Sequence, residues 1–440
     1  MKAEELDQEL HSGREAFQAG DHHRAVKHLA ACLREGHHVA EVCQELGQLY
    51  YLQGDFRKSV ACYRKALKSG NRNADCLAGF GRSLFEQREY AEAEEVLCRA
   101  CRLHGDHLPS HLDLGRLYIE MQRYDDAVAV VERVAHLPEE SAAAYHLLGI
   151  AHYRSMRYRA AIEALERSIA IEPDSTPQPH LLLGECQLAL GLANSAIESF
   201  RRSARIYPLA ELYYPAARAY QLRQDYATSL KLYDKALTVE RNRFRRHELL
   251  FEQGEILFEM GEEEDRLGKE HDCYLRAATK FEQALEIGPR LTAARHYLGL
   301  VRLKQRNSAA ALACFAQIGS AGEEDSSIPL VAGKNAELLS RPFLMRVHQG
   351  YALALEGRFE EALRSLEEAL QLPGGQEETM HKPRILRRIG LVLRALGAHA
   401  RAIEVWRELR KLDPDDHYQS LEFLAEAEAH GSREERSADG

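Results

Sequence analysis

Several features are scarce in this 440-residue chain, and each scarcity excludes a class of protein. No run approaches the 18 or more apolar residues that a bilayer-crossing helix needs. The first fifteen residues, MKAEELDQELHSGRE, lack the apolar core of a secretory signal. Nine cysteines without regular spacing do not make a disulfide framework, and they fit a reducing compartment. The expected location is therefore cytoplasmic. Only 13 prolines and one tryptophan, Trp406, interrupt a composition rich in Ala, Leu, Glu and Arg. Strand-like alternation is not evident. There is no Gly-rich phosphate loop, no nucleophile elbow and no His-Glu-x-x-His helix, so neither enzyme activity nor a cofactor is expected. A net charge of −10 weighs against wholesale nucleic-acid binding.

What the chain does have is a period. A glycine is followed twelve positions on by a small residue, four further by a large apolar one, and three further by another small one. The series reads Gly13, Ala25, Leu29, Cys32, then Gly47, Ser59, Tyr63, Ala66, then Gly81, Ala93, Leu97, Ala100. It continues with Gly115, Ala127, Val131, Val134 and with Gly149, Ala161, Leu165, Ser168. The five glycines are spaced by 34 residues four times in succession. Looser units follow from Gly184, Ala217, Gly254, Gly299, Gly350 and Gly390, making eleven. In the eighth the second half arrives late, at Ala277 and Phe281, an insertion of eleven residues.

Two antiparallel helices of about 12 to 14 residues and two short turns fill such a period. The small residues mark where helices approach closely, and the large ones plug the groove between them. Apolar residues at i, i+3, i+4 and i+7 give each helix one buried face. Pro173, Pro208, Pro289 and Pro414 close units, since proline cannot continue a helix interior.

This pattern resembles the tetratricopeptide repeat, whose signature is Leu-Gly-x2-Tyr, Ala-x3-Phe and Pro over 34 residues. Leu46-Gly47 with Tyr50 and Leu114-Gly115 with Tyr118 match its first part; Ala277, Phe281 and Pro289 match its second. The resemblance spans residues 6 to 416. It implies an all-α fold, a right-handed superhelical solenoid of antiparallel helix pairs with a C-terminal capping helix. The expected organisation is regular repeats over 6–246, irregular repeats over 247–342 with an acidic insertion at 262–271 and a loop at 319–335, two repeats and the cap over 343–430, and a disordered tail at 431–440.

In this family one face of each first helix lines a concave groove. Position 9 of the repeat is Arg14, Arg82, Arg116 and Arg218 in units one, three, four and seven. Position 12 supplies Tyr51, Phe85 and Tyr153, and Arg154 follows the last of these. Arginine offers a planar fork for carboxylates, and aromatics offer apolar anchors. The lysine–asparagine clamp by which some members hold a carboxyl terminus is missing, since Leu10 stands at position 5 and Arg14 at position 9. Two basic stretches follow, 201–246 and 379–411, the latter with Arg384, Arg387 and Arg394 at groove positions, before the acidic 413–440. Against their binding role stands the plainer one of a solvated face.

Cys98, Cys101, His104 and His107 have the residue types of a zinc site. On a continuous helix their spacing of three spreads them over half the circumference, so packing is the expected role and no metal is expected. The functional expectation is a non-catalytic scaffold or adaptor that holds acidic or aromatic-bearing segments of partner proteins. The alternative is a peptide-sensing regulator whose superhelical pitch changes on binding.

Overall fold

The structure, a computed structural model, describes residues 3–136, 141–173, 175–207, 210–268, 272–320, 342–372, 381–413 and 421–425. Among them every regular element is a helix. They fall into two compact units, Met1–Arg223 and Gln224–Gly440. No described helix is long and apolar enough to cross a membrane.

The first unit is a run of helix pairs: α1 (Ala3–Gln18) with α2 (His22–Arg34), α3 (Val39–Leu52) with α4 (Phe56–Lys68), and α5 (Ala74–Glu86) with α6 (Tyr90–Leu103). Then come α7 (Leu108–Glu120) with α8 (Tyr124–Ala135), α9 (Ala142–Arg154) with α10 (Tyr158–Ile171), and α11 (Gln178–Ala189) with α12 (Ala193–Ile206). A short 3-10 turn, Ala210–Leu212, leads to α13 (Tyr213–Leu222). The second unit begins with α14 (Tyr226–Val239) and continues with α15 (Arg243–Leu267) and α16 (Asp272–Ile287). It goes on through α17 (Thr292–Lys304) with α18 (Ser308–Ser320), α19 (Pro342–Leu355) with α20 (Phe359–Gln371), and α21 (Lys382–Ala395) with α22 (His399–Leu412).

The recurrent glycines do what their spacing predicts. A methyl group added at Gly81 would lie 2.4 Å from Leu97, at Gly149 2.6 Å from Leu165, and at Gly390 2.4 Å from Trp406. Each glycine thus admits the large residue of its own second helix. In the eighth unit the same contact joins Gly254 to Phe281, although 27 positions separate them. The added residues lengthen α15 to 25 residues rather than displacing the pair. Leu97, Leu165, Phe281 and Trp406 are wholly buried as a result.

Turns recur with the same period. The first helices end at a left-handed residue: Gly20, Gly54, Arg88, Gln122 and Met156 in the first five units, with φ of 78°, 76°, 64°, 60° and 59°. One residue on, Asp21, Asp55 and Asp225 cap the following helix by accepting a backbone N–H.

Of the expected irregular segments, 262–267 is helix and so are the first two residues of the expected 319–335 loop, which end α18, while 269–271 and 321–335 lie outside the described residues. So do Pro208, Pro414 and the tail 431–440. Of the expected cap, 421–425 is described and helical. Phe423 stacks on Trp406 with ring centroids 5.0 Å apart, covering the indole at the end of the second unit.

Candidate functional site

The face formed by the first helices carries the candidate residues, and the structure divides them. Arg14 of α1 donates to Glu45 of α3 at 2.7–2.8 Å, and Arg82 of α5 donates to Asp113 of α7 at 2.8 and 3.0 Å. Both acids lie 31 residues beyond their arginine, one repeat on and three positions back. These bonds tie consecutive first helices together. The Glu45 bond raises the Arg14 guanidinium above its usual range. Asp113 is almost wholly buried, and burial pushes its carboxyl up against the opposing pull of Arg82. Arg82 also lies over the Tyr51 ring, 5.8 Å from its centroid.

Arg116 and Arg154 are exposed. Arg116 stands 3.6 Å from Asp113, on the side away from the shorter Arg82 contact. Its own position 31 residues on is Leu147, so it has no acid of the next repeat to meet. Arg154 lies within electrostatic reach of Glu185, whose carboxyl burial pushes up and the Tyr153 hydroxyl pulls down. Arg218 is half-buried on α13.

The aromatics have a structural partner each. Tyr51 packs on Phe56 at 5.5 Å between centroids, Phe85 on Tyr90 at 5.9 Å, and Tyr153 on Tyr158 at 6.1 Å. The partner is always five residues on, the first residue of the second helix. These rings therefore brace the turn within a pair and remain half-buried. Tyr51 also donates to Glu86 at 3.4 Å.

In the second unit the basic residues do not form one open surface. Arg387 and Arg394 of α21 both lie over Phe423, 5.7 and 5.1 Å from its centroid, so the terminal segment covers them. Arg384 instead lines a cavity, together with Arg388, which sequence reasoning did not single out.

The four cysteine and histidine side chains of 98–107 diverge. Cys98 meets the Tyr118 hydroxyl at 3.6 Å, and Cys101 is half-buried against the core, where burial pushes its thiol up to about 12. His104 reaches the Arg72 carbonyl at 3.2 Å, and His107 reaches Ser110 and Asp75 at 2.7 and 3.2 Å. His37 and His38 each meet an acid: His37 bonds Asp7 at 2.8 Å, and His38, left-handed at φ 44°, stands 3.3 Å from Glu41.

Paired helices, the 34-residue recurrence and the glycine contacts define an all-α array of tetratricopeptide-type repeats. Residues 42–100 and 102–203 match the family model described as anaphase-promoting complex, cyclosome, subunit 3, which is less than half of the chain. None of the curated proteins matches. Among solved structures, the chain is similar to the anaphase-promoting complex hetero-tetramer Cut9-Hcn1, at 13% identity over 97% of this chain and 96% of that one, with a TM-score of 0.43. It is also similar to a tetratricopeptide repeat protein from Parabacteroides merdae, at 18% identity over 56% and 98%, with a TM-score of 0.45. A third similar structure is YrrB, described as having an unusual peptide-binding site, at 19% identity over 41% and 93%, with a TM-score of 0.36. No residue role passes from these structures to this chain.

Proposed function

We propose that this chain is a non-catalytic scaffold that holds segments of partner proteins on the first-helix face of its repeats, within a larger assembly. The observation that carries the reading is the division of that face. Arg14 and Arg82 are consumed in bonds between repeats, while Arg116 and Arg154 stay exposed and Tyr153 stays half-buried. That leaves two cations and an aromatic ring, a combination suited to an acidic segment with apolar anchors. The match of residues 42–203 to a model named for a subunit of a multiprotein complex supports the assembly part of the reading.

The test is a binding titration of a partner recovered by affinity purification from the native cell. Exposed ion pairs contribute about 0.2–1 kcal/mol each, whereas a buried aromatic anchor contributes about 2 kcal/mol or more. Tyr153→Ala is therefore expected to weaken binding by roughly 30-fold or more. The Arg116→Glu, Arg154→Glu double variant is expected to slow association several-fold, with a steeper effect at low salt. Circular dichroism checks that both variants stay helical. Parental binding by both variants would remove the first-unit face as the site.

A further inference from the structure

A recessed cavity of about 310 Å³ opens in the second unit between four first helices, α15, α17, α19 and α21. Its apolar wall is built from Phe258, Tyr297 and Phe343, with Ile385 and Leu300 alongside. The aromatic wall is rigid: Phe258 and Tyr297 meet edge-on at 5.5 Å, and Tyr297 stacks on Phe281 at 5.3 Å. Arg384, Arg388, His348 and His381 line the same cavity, His381 against Phe343 with ring centroids 4.9 Å apart.

Arg388 is the unusual member. Its guanidinium lies over the Tyr351 ring, 4.8 Å from the centroid, and its Nη1 donates a long 3.4 Å bond to the Val347 carbonyl. Among the described residues no carboxylate pairs with it. Burial, with Arg387 and Arg384 nearby, holds the guanidinium below its usual range. The lining carboxylate, Glu262, has Lys304 at 3.7 Å. His348 shares a 2.9 Å bond with His296, and burial keeps it well below the usual histidine range, so it is a neutral neighbour at pH 7. A partly desolvated cation without an anion is costly, and a carboxylate brought to it gains more than at an open surface.

We propose that this cavity receives a segment of a partner protein in which an aromatic or large aliphatic side chain adjoins a carboxylate. The apolar side chain seats on Phe258, Tyr297 and Phe343, and the carboxylate meets Arg388. Shape and charge together choose this occupant. The volume takes one or two side chains, aromatic residues and two arginines line the same cavity, and a guanidinium can hold a carboxylate by two parallel bonds. The inference rests on the reading of the chain as a binder of protein segments, but it places a separate site on different helices.

The test pans a display library of random nine-residue peptides on the full chain and titrates the enriched peptides against three variants. Arg388→Met keeps the length and loses the charge; Phe343→Ala enlarges the pocket; Arg116→Glu reports on the first unit. The expected peptides pair an acid with an aromatic or large aliphatic residue. They lose on the order of 30-fold or more in affinity with Arg388→Met and with Phe343→Ala, and stay within about twofold with Arg116→Glu. Arg388→Met is also expected to raise or preserve thermal stability, since it removes a half-buried cation that no carboxylate among the described residues pairs, and this separates a binding role from a structural one. Enriched peptides without acids, or with parental affinity for Arg388→Met, overturn the proposal. Peptides that fail only with Arg116→Glu overturn it while leaving the broader binding function standing, and no enrichment at all overturns both. A chain ending at residue 425 tests the chain's own acidic end as occupant: peptide affinity that rises about tenfold or more on that deletion assigns the cavity to the tail and overturns the partner assignment.

Discussion

At the residue scale, the bond between Arg82 and Asp113 shows why a charged face should not be counted as free charge. Asp113 is almost wholly buried, so its carboxylate depends on Arg82 for compensation. Arg82→Ala leaves that carboxylate without its shortest partner. The expected cost at neutral pH is about 1–3 kcal/mol, below the range for breaking a fully buried pair, because the Arg82 side chain is 37% exposed. The pH dependence follows from the direction of the shift. Burial already raises the folded-state pKa of Asp113 above its unfolded value, so the stability this group contributes is full below the unfolded value and is lost as pH rises through the folded one. Removing Arg82 raises the folded value further. The deficit of Arg82→Ala relative to the parent is therefore small near the ordinary carboxylate range, about pH 4, and grows toward neutrality. Thermal denaturation of both proteins across that window measures it; a deficit independent of pH would mean that Arg82 acts by packing alone.

Much of the element scale is legible in the sequence, because close packing leaves a strict trace. A glycine that must lie against Leu97 or Trp406 admits no substitute without a clash, so Gly81 and Gly390 mark their units in the sequence. Ring pairs five residues apart, such as Tyr153 with Tyr158, carry no such mark, since either ring alone is an ordinary amphipathic position. The inter-repeat bonds were likewise hidden: Arg82 and Asp113 align only if one searches a separation of 31, one repeat less three. The cavity around Arg388 draws on four helices spread over well over a hundred residues, and no local pattern announces it. One element-level consequence can be measured directly. Met156 ends α9 in the left-handed region, at φ 59°, where Gly54 ends α3. Its side chain is 74% exposed and contributes little packing. The left-handed conformation costs a residue with a Cβ roughly 1–2 kcal/mol, partly offset by the greater freedom of glycine in the unfolded chain. Met156→Gly is expected to stabilise the chain by about 0.5–1 kcal/mol, read as a higher denaturation midpoint with an unchanged denaturant slope. A loss of stability would show that the Met156 side chain contributes packing its exposure conceals.

At the scale of the whole molecule, the two units have their own cores. In Met1–Arg223 the buried clusters gather around residues such as Leu29, Tyr63, Leu97, Leu165 and Phe200. In Gln224–Gly440 they gather around Phe281, Phe315, Leu366 and Trp406. Repeat arrays are stabilised mainly by contacts between neighbouring helices, and the first unit holds six complete helix pairs with buried clusters of its own. A chain of residues 1–223 is then expected to fold alone, with a helix-dominated far-ultraviolet spectrum and one cooperative unfolding transition. The Arg82→Ala substitution sharpens the test. Arg82, Asp113 and Tyr51 all lie within the first unit, so the change in stability measured in the fragment should equal that in the full chain within about 0.5 kcal/mol. A fragment that is unfolded would show that the first unit depends on the second. A folded fragment in which the substitution has a much smaller effect would show that the bond between α5 and α7 is not set by its own repeats.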